Sequence, residues 1–381
     1  MRSLRAARSA LVPALVLAVG VTGCWSTGPK IPPLPQLKTV TPTRVLWQSS
    51  IGRADDGAFT PAVVGTSVFV ASGNGSVARL DAATGNERWR VRPVRAASAG
   101  VGANGQMLAI GTAEGEIVAL DAESGKTLWQ ARASSEIQGA PLVLDEMVVA
   151  RSGDARLFAF DARDGKRRWV FQRTAPALVV RTPSTPVGNS TLVYAGFAGG
   201  KLAAVTGGNG GLRWEATVSN PKGATELERV SDVVGAPWLT DREICAVSFQ
   251  GRAACFDTNT GTSLWTKDLS SRSGLGGDAR LLFVSDDKGG VVALDRSTGA
   301  TLWRQDQLVG RVLSAPLSLG ATIVVGDMEG YVHVLARDTG SLIARASTDG
   351  ASITAKPIAI PGGFLIQTVR GGLIAFATPV P

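Results

Sequence analysis

Histidine is almost missing from this chain: one in 381 residues, His333. A lone imidazole excludes a histidine-built metal site and leaves little for general-base chemistry, and His333 reads as a satisfied sheet residue. Cysteine is scarce too, with three residues and no adjacent pair. No nucleophile motif, phosphate-binding glycine loop or metal-ligand spacing occurs. Asp286-Asp287 before Lys288-Gly-Gly290 reads as a hydrated hairpin turn. After position 24 no span of about 20 apolar residues exists, so no membrane-crossing helix is expected there. Net charge is +8, and +5 once Arg2, Arg5 and Arg8 of the N-terminal stretch are set aside. The basic residues are scattered, as at Lys166-Arg-Arg168, with no aromatic-interleaved stripe of a nucleic-acid binder. What the chain does have is 46 glycines and a 44% hydrophobic content, which fits an all-β protein with a large core and many turns.

One unit recurs throughout: Gly115-Glu-Ile-Val-Ala-Leu-Asp-Ala-Glu-Ser-Gly-Lys-Thr-Leu-Trp129. Copies end at Trp89, Trp129, Trp169, Trp214, Trp265 and Trp303. A seventh keeps the turn residues Asp338 and Gly340 but has Ala344 where Trp is due. An eighth begins at Gly371 and stops after Phe376. The spacing of about 42 residues suits four short strands per unit. Ile117 to Ala119 alternate as a strand does, and Asp121 and Gly125 bracket a tight turn. Trp129 then fills the wedge between units, against small residues such as Ala119. A second marker, Pro61, Pro141, Pro186, Pro237, Pro316 and Pro357, opens strands such as Ser67-Val-Phe-Val-Ala71.

The last unit is one strand short, and Arg44-Val-Leu-Trp47 is one strand over. Pairing the two shuts a ring. The expectation is an eight-bladed β-propeller of four-stranded blades over 44–381, closed by the N-terminal strand at Val45 to Trp47.

Residues 1–23 read as an export signal: three arginines, an apolar run from Ala10 to Val21, then small residues. Val21-Thr-Gly-Cys24 resembles the lipobox of bacterial lipoproteins, which implies a lipidated Cys24. In that class an Asp after the Cys causes inner-membrane retention, and Trp25 stands there instead. Residues 24–43 hold five prolines and read as an extended tether with few contacts to the ring, reaching about 60 Å. Cys245 and Cys255 flank a hairpin around Gln250-Gly251. In an oxidising compartment they are either a cross-hairpin disulfide or two buried thiols.

The repeat breaks in one region. Trp spacing is 40 residues from Trp129 to Trp169, then 45 to Trp214 and 51 to Trp265. The excess lies in Phe171 to Thr185 and Val218 to Gly235. Both join the last strand of one unit to the first of the next, so they stand side by side on one face. The first holds an apolar Leu178-Val-Val180 between prolines, then Arg181. It suits a docking patch or an edge that takes a partner's strand. The second, Ala224 to Val234, is charged and suits a short helix or an extended arm. Burial of both against the ring face is the alternative.

The Ala-Leu-Asp-x-x-x-Gly-x-x-x-Trp pattern resembles the tryptophan-docking repeats of quinoprotein dehydrogenases and their non-enzymatic relatives. The lipobox, the length, Thr225-Glu-Leu-Glu-Arg-Val-Ser-Asp-Val233 and Gly326-Asp-Met-Glu-Gly-Tyr331 resemble the non-enzymatic BamB family of outer-membrane protein assembly factor lipoproteins. That resemblance implies a periplasm-facing, lipid-anchored outer-membrane scaffold. Its ring, itself monomeric and without cofactor, would bind the POTRA domains of the barrel subunit BamA, with unfolded barrel proteins as further contacts. The family's Leu-x-Leu-Arg-Gly loop falls on Leu178, Val180, Arg181 and Thr182. The first of its two loop acids falls on Asp232 and the second on Val234, which departs from the pattern. The rival readings are a quinone- and calcium-dependent dehydrogenase and a glycan-binding ring. The absent Cys-Cys pair speaks against the first.

Overall fold

The computed structural model describes residues 31–37, 43–54, 58–174, 176, 178–179 and 184–379. The leader at 1–23, Cys24 and most of the Pro-rich stretch lie outside the described residues. Every regular element among the described residues is a strand.

The strands form eight antiparallel sheets in chain order. Blade 1 spans 62–91, blade 2 spans 99–132, blade 3 spans 142–172 and blade 4 spans 187–217. Blades 5, 6 and 7 span 233–268, 275–305 and 317–347. The first strands of neighbouring blades touch one another, which places them at the axis. Second and third strands, such as Met107–Gly111 and Glu116–Asp121, are almost wholly buried. The outer strands alternate, as in Thr127–Arg132, because only one face meets the next blade. Blade 2 carries one addition to the expected four strands: Ala58–Phe59 pairs in parallel with Ala99–Gly100.

Blade 8 combines both ends of the chain. Its first three strands are Ile358–Ile360, Gly363–Gln367 and Gly372–Ala377, and its outer strand is Val45–Ser50. Trp47 stands opposite Ala375 and Val45 opposite Phe376. The ring closes as the strand count predicts.

Each tryptophan does more than fill a wedge. Trp129 has Ala119 as its register partner, but its indole lies on Gly165 of the next blade. A Cβ at Gly165 would come within 2.6 Å of the ring. The indole N–H donates to Ala162 C=O in the same turn, at 2.8 Å. The same pair of contacts recurs seven times, from Trp47 on Gly85 and Ala82 C=O to Trp303 on Gly340 and Arg337 C=O. The turn glycine is therefore needed twice: for its positive φ, 70° at Gly165, and for the missing side chain under the indole.

The eighth junction explains Ala344. Blade 8 takes its outer strand from the far end of the chain, so it has no turn between third and fourth strands. A tryptophan at 344 would have nothing to dock on, and Ala344 is fully buried instead.

Cys245 and Cys255 are register partners across the hairpin of blade 5, with Cα atoms 4.0 Å apart and the sulfurs linked. Both lie in the apolar layer between blades 5 and 6.

Residues 32–37 of the Pro-rich stretch, expected to make few contacts to the ring, touch it through two carbonyls. The compact unit that holds the ring runs from Pro32 to Pro381. Pro32 C=O accepts from the Arg311 guanidinium at 2.9 Å, and Pro35 C=O from Arg345 at 2.7 Å. Proline carbonyls have no local N–H to bond, so arginines on the ring can take them.

Two outcomes test this packing. Gly165→Ala should lower unfolding free energy by about 3 kcal/mol, combining positive-φ strain with overpacking. Gly208→Ala, with open space around it, should stay within about 0.5 kcal/mol in the same denaturant titration. Cys245 and Cys255 should resist thiol labelling in denaturant until reductant is added, and two labels without reductant would exclude the bond.

Candidate functional site

In a four-stranded meander, the links that leave outer strands share a face with the turns between second and third strands. The extended links of the sequence, 173–186 and 218–232, leave that face at consecutive junctions, blades 3 to 4 and 4 to 5.

The first link is pinned at both ends. Arg173 grips Glu215 of blade 4 through two bonds of 2.6 and 3.1 Å, with its guanidinium over the Phe197 ring. At the far end the Ser184 hydroxyl donates to Gly196 C=O at 3.2 Å. Between these points Leu178 is 47% exposed and Val179 39%. Both face outward, as a docking patch requires, and the alternative of burial against the ring does not hold for them. Val180, Arg181 and Thr182 lie outside the described residues.

The second link rises into a single helical turn, closed by a capping box. Thr225 Oγ1 accepts the Glu228 N–H at 3.3 Å. The Glu228 carboxylate accepts the N–H groups of Ala224 at 2.8 Å and Thr225 at 3.1 Å. These backbone donors hold the Glu228 carboxyl below its ordinary value. Arg229 ties the turn back to Gly223 C=O at 3.0 Å. Gln250, in the amide orientation that satisfies both of its ends, donates to Val230 C=O at 3.0 Å and Glu228 C=O at 3.1 Å. The turn thus presents Leu227 at 72% exposure. The Thr225-x-x-Glu228 signature was readable in the sequence; the outward aim of Leu227 was not.

Asp232 sits at the base of this arm and is only 4% exposed. It accepts the Gly199 N–H at 3.1 Å, and its own C=O accepts the Phe249 N–H at 2.8 Å. It also faces Arg151, whose guanidinium burial pulls down to about 10 while Asp232 works the other way. Its carboxylate and its backbone carbonyl together thereby join blades 3, 4 and 5 beneath the two links. Val234, the position of the family's second acid, is 2% exposed among Cys245, Trp265 and Leu282. It belongs to the core here and does not reach the face.

The other polar candidates are ties within the fold. Asp286 is buried, accepting N–H groups of Lys288 and Gly290 and the Arg304 guanidinium. His333 is buried, with Nε2 2.8 Å from Asp327 Oδ2, and burial pushes its ring toward the neutral form. Among the described residues no three His, Cys, Asp or Glu side chains gather as a metal ion requires.

Comparison with known proteins places this architecture. The family model described as outer membrane protein assembly factor BamB matches residues 37–97, 73–305 and 287–378. The assembly factor BamB of Burkholderia pseudomallei is 39% identical over 364 residues, covering 95% of this chain and 96% of the relative. That of Pseudomonas aeruginosa is 44% identical over 368 residues, covering 95% and 97%. The crystal structure of BamB from Moraxella catarrhalis superimposes with a TM-score of 0.80 at 28% identity, covering 88% of this chain and all of that one. A quinohemoprotein alcohol dehydrogenase from Comamonas testosteroni reaches 0.70 at 14% identity, covering 88% and 76%, and shows a shared fold alone. The chain belongs to the family of the outer membrane protein assembly factor BamB, a non-enzymatic propeller family.

Proposed function

We propose that this protein is a non-enzymatic subunit of the machinery that assembles outer-membrane β-barrel proteins. It docks on the POTRA domains of the central barrel subunit through the links 173–186 and 218–232. A lipid on Cys24 holds it at the outer membrane, facing the periplasm. The observation that carries this reading is the pairing of two pinned links on one face, which aim Leu178, Val179 and Leu227 at solvent. Apolar residues held outward on rigid bases lose little entropy on binding, and such anchors dominate interface energetics. Arg181, which follows Val179 by two positions in the sequence, is the polar contact of this interface, and Asp232 holds the base of the second link. Unfolded barrel chains are a second class of contact for the same face.

The seven indole junctions support a passive role. They lock neighbouring blades, so the bases from which the links leave keep one arrangement.

Leu178→Ala combined with Arg181→Ala should weaken capture of the barrel subunit at least about thirtyfold, the equivalent of about 2 kcal/mol, with the melting temperature unchanged. Undiminished capture would reject the first link as the contact. Glu228→Ala should speed amide exchange across 224–230 and weaken capture, because the loss of a cap typically costs about 1 kcal/mol locally. Unchanged exchange would show that the arm does not depend on its capping box.

A further inference from the structure

The Pro-rich segment before the ring is held by a purpose-built clamp on blade 7. Arg311, in the link from blade 6, is 1% exposed, and each side of its guanidinium is used. Nε donates to Asp327 at 2.7 Å, and a terminal nitrogen pairs with Glu329. The guanidinium lies over the Tyr331 ring, 5.6 Å from its centroid. Asp327 is fixed in turn by His333 and by the N–H groups of Glu329 and Tyr331. The remaining terminal nitrogen is left pointing at Pro32 C=O, 2.9 Å away.

Gly310 completes the seat. It has a φ of 86°, and a Cβ there would lie 2.9 Å from Pro32 Cδ. Three residues on, Arg345 of the outer strand Leu342–Ser347 donates to Pro35 C=O at 2.7 Å. The Thr43 hydroxyl then donates to Arg345 C=O at 3.4 Å, just before the chain enters blade 8 at Val45. The described residues thus meet blade 7 at Arg311, at Arg345 and again at Thr43. Pro32-Pro33-Leu34-Pro35 suits this path, because an extended proline run holds its carbonyls in fixed directions.

We infer that residues 32–37 act as a strap that fixes where the N-terminal segment leaves the ring. The exit is on the link face, at the junction of blades 6 and 7, two junctions round from the arm at 218–232. For a chain anchored at Cys24, which rests on the lipidation reading above, the stretch between anchor and ring is the eight residues from 24 to 32. Its reach falls to about 25 Å, against about 60 Å for a tether free as far as residue 43. The strap thereby sets the chain's entry to the ring on the face that carries the docking links.

Spin labels at Leu34→Cys and Met328→Cys, in the full mature chain carrying Cys24→Ser, test the strap without any lipid. The expected result is a single narrow distance distribution, which Arg345→Met broadens while the melting temperature moves by no more than a few degrees. A broad distribution before that substitution would overturn the strap, and so would a distribution that stays narrow after it. Label distances do not depend on acylation, so a Cys24 found unmodified would remove the anchor and leave the strap standing.

Discussion

An indole laid on a bare glycine backbone is the contact from which this molecule is built. Each ring covers a turn whose glycine has no Cβ to push it away, and its N–H satisfies a carbonyl that the tight turn leaves open. Both halves of the contact belong to different blades, so every tryptophan ties its own sheet to the next. Buried aromatic area supplies the energy, and the single hydrogen bond sets the angle. The pair Trp47 and Gly85 is the special case, because the indole comes from the strand that completes the last blade. Ring closure and the junction from blade 8 to blade 1 are therefore the same event.

The function-bearing parts are those the indole contact does not control. Links from outer to inner strands can lengthen without disturbing either half of it, and two consecutive links have done so. Their ends are held by Arg173, Ser184, Asp232 and the capping box at Thr225. Asp232 shows how such a loop is supported: its carboxylate faces inward to Gly199 and Arg151 of neighbouring blades, while Leu178, Val179 and Leu227 face out.

The same fold carries redox enzymes and assembly factors, so architecture alone says little about chemistry. In this chain the buried charges are spent on structure. Asp286 closes a turn, and Arg311, Asp327 and His333 hold the path of the N-terminal segment. No residue of these groups is left aimed into an open cleft.

Much of the architecture was legible because a repeat states its own period. Trp, Gly and Asp at constant offsets identify the blade, and a missing last strand beside a surplus first one implies closure. The link positions were legible for the same reason, since an interrupted period shows where length was added. The sequence by itself thus determined the blade count, the closing strand and the place of the two links, all of which follow from local patterns and covalent order. Only the tertiary structure decided which residues of those links face water, that Asp232 and Val234 are buried, and that the prolines at 32 and 35 lie against blade 7. Those outcomes depend on groups such as Arg151, Gly199, Arg311 and Arg345, which are distant in sequence and reach their partners only once the ring has closed.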